Sequence, residues 1–306
     1  MSVKEYDVRY FIRCQCRYSK MSGKNHAIFC AILAAALYAI SSPASKLLLN
    51  HIPSTMLAGL LYLGAGIGMA VIRRMRRFTG KEEKELPLSR KDLPFTVCMI
   101  LLDIAAPILM MLGLTMTSAA NASLLNNFEI VATSVIAWVI FREKIPRKLW
   151  AAILLITFSS MLLSFEDISS LSFSAGSLLV LAACICWGFE NNCTRMLSSK
   201  DPAQIVVIKG LFSGGGALII ASFSGEGCTE WLYILFALLL GFAAYGLSIY
   251  FYIYAQRYIG AAKTSAYYAI SPFIGTALSL ILFRDPPSLT FIAALIIMII
   301  GAWLAA

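Results

Sequence analysis

Apolar residues in this chain neither alternate with polar ones nor recur on a single helical face. They run together in stretches close to twenty residues long, separated by short polar connections. A helix crosses a hydrocarbon core about 30 Å thick in about 20 residues, so the pattern predicts membrane spans. Ten are expected: His26–Leu49, Ser54–Ile72, Pro94–Thr115, Ala119–Phe141, Leu149–Ser164, Ser174–Leu197, Ala203–Phe223, Trp231–Gln256, Ala261–Phe283 and Leu289–Ala305. Breaker residues punctuate the connections, as in His51-Ile52-Pro53, Asp201-Pro202 and Arg284-Asp285-Pro286-Pro287, and the one long linker is the charged stretch from Arg73 to Lys91. Residues 1–25 are polar and basic without helical periodicity and read as a disordered cytoplasmic tail, within which Met21 is a second candidate start.

Composition agrees with the pattern: 59% of the 306 residues are apolar, 13% are charged, and the mean hydropathy is +0.79. A soluble domain carries about 25% charged residues. The net charge of +9 does not point to nucleic acid, because Lys and Arg lie in the connections. With the N-terminus inside, 22 of the 25 Lys and Arg fall on the cytoplasmic side, so both termini are expected there. Short loops and the lack of a targeting signal point to a bacterial cell membrane. The eight cysteines are scattered and imply no disulfide framework, and the two histidines flank the first span, so neither a metal site nor a cofactor is expected.

The chain also repeats itself. With an offset of 142, Ala119–Ala152 and Ala261–Ala294 align without a gap, both reading Ala-Ala-x-x-Ser, an apolar run, then Phe-Arg-acidic. The first and sixth spans align as well, with Tyr38 opposite Trp187, Lys46 opposite Arg195 and Pro53 opposite Pro202. Five spans per half is an odd number, so two such halves sit oppositely in the membrane. The expected fold class is therefore an all-α integral membrane protein of ten transmembrane helices in two inverted five-helix repeats, 26–165 and 174–306. Inverted repeats are a recurring plan of secondary transporters.

The repeated Ala-Ala-x-x-Ser span followed by a short Arg-acidic loop and another helix resembles the EamA-type transporters of the drug/metabolite transporter superfamily. The resemblance covers most of the chain from about Lys24 onward. It implies a central cavity between the halves and the export or exchange of a metabolite. The chain departs from the family in span four, where a frequent proline is matched by Ile130, while Pro272 holds the equivalent place in span nine. The two spans are accordingly expected to differ in flexibility.

Ionisable side chains within spans are the sharpest functional signal, since an acidic residue at mid-bilayer costs roughly 2.5–3.5 kcal/mol on insertion scales. Glu129 lies near the centre of span four, Asp103 near the centre of span three, and Glu190 in the inner half of span six. Helical spacing groups Ser123, Asn126 and Asn127 with Glu129; Trp187, Asn191 and Thr194 with Glu190; Tyr245 and Ser248 with Tyr252; and Thr264, Tyr267 and Tyr268 with Ser271. These stripes predict a lining of aromatic walls with polar tips, suited to a medium-sized polar or amphipathic substrate. Lys209 is expected to snorkel to the headgroups, and Gly64-x-x-x-Gly68 and Gly210-x-x-x-Gly214 to pack helices within the bundle.

The reading is a secondary transporter working by alternating access in the lipid bilayer, exporting a small molecule, with proton coupling or exchange as the energy source. No Walker motif supports nucleotide energy, and no nucleophile–base set supports an enzyme. A sensor or assembly factor on the same fold is the alternative.

Overall fold

In hydrocarbon a helix satisfies its own backbone groups, and the apolar runs fold accordingly. The computed structural model describes residues 21–78, 86–142, 147–167, 172–197, 199–259, 264, 267–284 and 286–305. Residues 1–20 of the expected tail, with Cys14 and Cys16, lie outside them, as do Ala261, Ala262 and Ser265 of the second repeat motif.

The helices are α1 (Met21–Ala39), α2 (Ser41–Leu48), α3 (Ser54–Phe78), α4 (Leu93–Met116), α5 (Ala119–Leu125), α6 (Phe128–Val139), α7 (Arg147–Ser164), α8 (Ala175–Leu197), α9 (Pro202–Phe223), α10 (Trp231–Gly241), α11 (Ser248–Ile259), α12 (Ser271–Phe283) and α13 (Leu289–Ala305). A short antiparallel ribbon, β1 (Phe165–Asp167) with β2 (Ser172–Phe173), joins the two halves of the chain. Seven helical stretches among the described residues are long and apolar enough to cross a membrane, and Ser271–Phe283 and Leu289–Leu304 are shorter apolar helices. The 23-residue α8 has the length of a span and carries Glu190, Asn191, Asn192 and Arg195. Large apolar side chains such as Leu101, Leu154 and Ile281 face outward, while Asp103, Glu190 and Lys209 are buried. This is the inside-out distribution of a multi-pass membrane protein.

The structure changes the expected elements in three ways. First, α1 begins at Met21 rather than His26, and α3 runs on to Phe78, about 1.7 turns past Ile72. Second, several spans are interrupted rather than continuous. The first breaks at Ile40, between α1 and α2, and the fourth at Asn126–Asn127. The eighth passes through a π-helical turn, Phe242–Leu247, and the ninth breaks at Ala269–Ile270. Third, spans four and nine break at nearly equivalent places even though only one of them has a proline. In span four the asparagines replace it: the Asn127 side-chain amide donates to the Leu124 carbonyl at 3.2 Å, competing with the helical ladder. Pro272 stands in the first turn of α12, where its missing N–H costs no helical bond inside that segment.

Helices pack across the two halves of the chain: α3 on α9, α5 on α12, α7 on α13, α4 on α8 and α1 on α11. Exchanging the halves maps the first three contacts onto themselves and the last two onto each other. The α3–α9 crossing is made by glycine. A Cβ on Gly210 would lie 2.3 Å from the Gly66 nitrogen, and one on Gly214 2.5 Å from the Leu63 nitrogen, so the two backbones touch.

Candidate functional site

Two polar groups lie in the middle of this bundle. In the first, α4 contributes Asp103, α8 contributes Glu190 and α9 contributes Lys209. The Lys209 ammonium stands 3.1 Å from Asp103 Oδ2 and 2.9 Å from Glu190 Oε1, with side chains between 0% and 6% exposed. Tyr62 of α3 donates its hydroxyl to Asp103 Oδ1 at 2.9 Å and accepts from Trp187 Nε1 at 3.2 Å. The Thr194 hydroxyl donates to Glu190. Three ionisable groups are thus held among hydrogen-bonding partners, as burial away from water requires.

The second group is more open. Glu129 sits in the first turn of α6, just after the break, and is half-buried. Its Oε1 accepts from the Asn191 amide at 2.5 Å, and Asn191 also reaches Thr133 Oγ1 at 3.3 Å. The α8 stripe is therefore divided: Trp187, Glu190 and Thr194 turn to the buried triad, while Asn191 turns to Glu129. Tyr38 and Tyr268 lie within electrostatic range of Glu129 and continue into an aromatic wall. Tyr38 meets Tyr245 and Tyr268 at ring separations of 5.7 Å, Tyr62 meets Tyr245 at 5.3 Å, and Tyr252 meets Tyr268 at 4.9 Å. Ser41 donates to the Tyr245 hydroxyl at 2.8 Å, and Ser248 holds the Ala34 carbonyl at 2.9 Å. An acid and phenol rings on interrupted spans, with an amide from the continuous α8, are equipped to hold a polar or amphipathic solute by hydrogen bonding and stacking.

The comparisons with known proteins agree with this geometry. The model of the EamA-like transporter family matches residues 25–165 and 174–306, most of the chain. The chain belongs to the EamA-like transporter family. An uncharacterized transporter of Methanothermobacter thermautotrophicus is 28% identical over 289 residues, spanning 89% of this chain and 84% of its own. A protein of known crystal structure, 17% identical, superposes with a TM-score of 0.63 over 94% of this chain and 97% of its own, which shows a shared fold. This EamA-like protein is a membrane transporter and not an enzyme, and its partners are a small-molecule substrate and lipid.

Within the EamA-like bundle, Glu129 and Asn191 adjoin the wall of Tyr245, Tyr252 and Tyr268, and Asp103, Glu190 and Trp187 form a buried layer that meets this wall through Tyr62. Ser123, Asn126 and Ser271 line a small cavity at the helix breaks, and Asn127 is buried beside them. Tyr267 is exposed, outside both groups. Lys209 does not snorkel. It is buried between two carboxylates, because a cation that neutralises them is more stable there than a stem stretched toward the headgroups. Two unpaired intramembrane acids signalled the need for such a partner, and Lys209 was the one lysine deep in an apolar run. Tyr38 and Tyr62 were also missed as site residues, since a lone tyrosine in a span carries no periodic signal.

Proposed function

We propose that this transporter exports a small polar or amphipathic metabolite across the cell membrane by alternating access between two inverted repeats, with both termini cytoplasmic. Glu129 is the coupling carboxylate, carrying a proton in exchange for substrate. The observation that carries this reading is the setting of Glu129. It is a half-buried acid at a helix break, anchored by Asn191 from the other half of the chain and facing the tyrosine wall. A carboxylate bridged across the halves feels any motion between them, which is what coupling requires.

The test begins with untargeted metabolite profiling of medium and cytosol from cells carrying wild type, Glu129→Gln or empty vector. The compound that leaves only with wild type is then taken into proteoliposomes. Glu129→Gln is expected to abolish accumulation driven by a proton gradient while sparing exchange of labelled for unlabelled substrate. Unchanged gradient-driven accumulation in the variant would falsify the coupling role.

A further inference from the structure

Two helices end and a third begins around one small cavity. It has a volume of about 10 Å³ and is lined by Tyr38, Ala39, Ser42, Ser123, Asn126 and Ser271, with Pro272 and Gly275 closing it. That is room for about one water-sized sphere. The break at Ile40 ends α1, the break at Asn126 ends α5, and the turn at Ala269–Ile270 precedes α12. Helix C-termini present carbonyl oxygens without intrahelical partners.

Proline sharpens this. Pro43 has no N–H to offer the carbonyl four residues earlier, that of Ala39, and Pro272 has none for that of Tyr268. The Ala39 carbonyl and the Ser123 hydroxyl also aim at the same place. A Cβ built on Gly275 would lie 2.9 Å from the former and 3.1 Å from the latter. Independently, the hydroxyls of Ser123 and Ser271, on residues 2% and 0% exposed, have no hydrogen-bond partner among the described residues, and neither has Asn127 Oδ1, one residue along from Asn126. Buried hydroxyls without partners are costly. A ligand that accepts several oxygen lone pairs removes the cost.

We propose that this crossing binds one dehydrated monovalent alkali cation of sodium size, held by serine hydroxyls, the Asn126 amide oxygen and carbonyls freed at the helix breaks. All the polar groups lining the cavity offer oxygen, the donor that hard cations take. None of the lining side chains is a carboxylate, which disfavours a divalent ion. Ala39, Ser42, Ser123 and Asn126 belong to one half of the chain and Ser271 to the other, so the ion fastens the halves at their crossing. The site adjoins Glu129, whose amide donates to the Asn126 carbonyl at 3.1 Å, but sodium binding is read without substrate or proton gradient, so its test does not depend on the coupling proposed above.

The experiment measures thermal unfolding and radiolabelled sodium binding of the purified full chain in detergent, in sodium, potassium or choline chloride at equal ionic strength. Wild type is expected to bind sodium and to unfold at a higher temperature in sodium than in choline. Ser123→Ala and Ser271→Ala are each expected to weaken sodium binding by about tenfold, as befits a hydroxyl bonded to a charge. Each should unfold in choline no earlier than wild type, since each deletes an unpartnered hydroxyl, and that comparison confirms a folded variant. If wild type binds no sodium and unfolds identically in all three salts, the cavity holds only water and the proposal is overturned. It is equally overturned if folded Ser123→Ala and Ser271→Ala bind sodium as wild type does.

Discussion

Removing the ammonium of Lys209 would leave Asp103 and Glu190 facing each other without a cation in a layer closed to water. Breaking a buried ion pair by deleting one partner costs about 3–5 kcal/mol, whereas replacing the whole set by neutral groups is often close to neutral. Lys209→Met should therefore sharply reduce the folded, monodisperse fraction and the unfolding temperature in detergent. The triple variant Lys209→Met, Asp103→Asn, Glu190→Gln should recover most of that loss. A triple variant no more stable than the single one would show that the triad is not what Lys209 serves. At this scale the sequence was half legible. Asp103, Glu129 and Glu190 stand out because charge within an apolar run is expensive. What each one faces depends on helices far apart in sequence, and so Asn191 and Glu190, neighbours on α8, end in different groups.

Elements were legible in their apolar length and not in their continuity. A period of apolar residues cannot show a break that costs only a few backbone hydrogen bonds, and the Asn126–Asn127 pair was read as lining rather than as the interruption it creates. The glycine crossing of α3 and α9 was visible as two small-residue motifs, although Gly66, between the glycines of one motif, makes the closest approach to Gly210. Nothing but hydrogen fits there. Gly210→Leu should force the helices apart and destabilise the protein by about 1–3 kcal/mol, or more if the backbones cannot yield. Gly215→Leu is the control, because a Cβ on Gly215 meets nothing within 4 Å. Unfolding temperatures of the two variants, measured side by side, should fall for the first alone.

Across the whole molecule, the two ends of the bundle are tied differently. At the basic end, Arg73 pairs with Asp201 at 3.1 Å, Lys200 with Asp92 at 3.1 Å, and the Leu88 amide donates to the Gln204 side chain at 3.0 Å. At the other end, Glu226 accepts from the Met56 amide at 2.8 Å and His51 stacks on Tyr233 at 3.7 Å, beside a cleft of about 370 Å³ bounded by α2 and α10. Partly exposed ion pairs are worth about 0.2–1 kcal/mol each, a suitable strength for a closure that would open in each turn of the alternating-access cycle proposed above. Asp201→Ala should raise the rate at which a membrane-impermeant thiol reagent, added from the basic end, labels a cysteine placed at Tyr252 in a background lacking the native cysteines. The exchanged pair Arg73→Asp, Asp201→Arg should bring the rate back toward wild type. Equal labelling in all three proteins would mean that these pairs do not close that end.

The arrangement of the buried triad also sets a schedule for biosynthesis. Asp103 and the Lys209 that neutralises it are separated by 106 residues of chain. At about 5–20 residues per second, the ribosome delivers the lysine roughly 5–20 s after the aspartate. During that interval a span bearing an unmatched acid has already been made, with its hydrogen-bond partner Tyr62 preceding it in the chain. The first half of the protein is therefore expected to settle into lipid less stably alone than with the seventh span beside it, by about the 2.5–3.5 kcal/mol that an unmatched acid costs in a span.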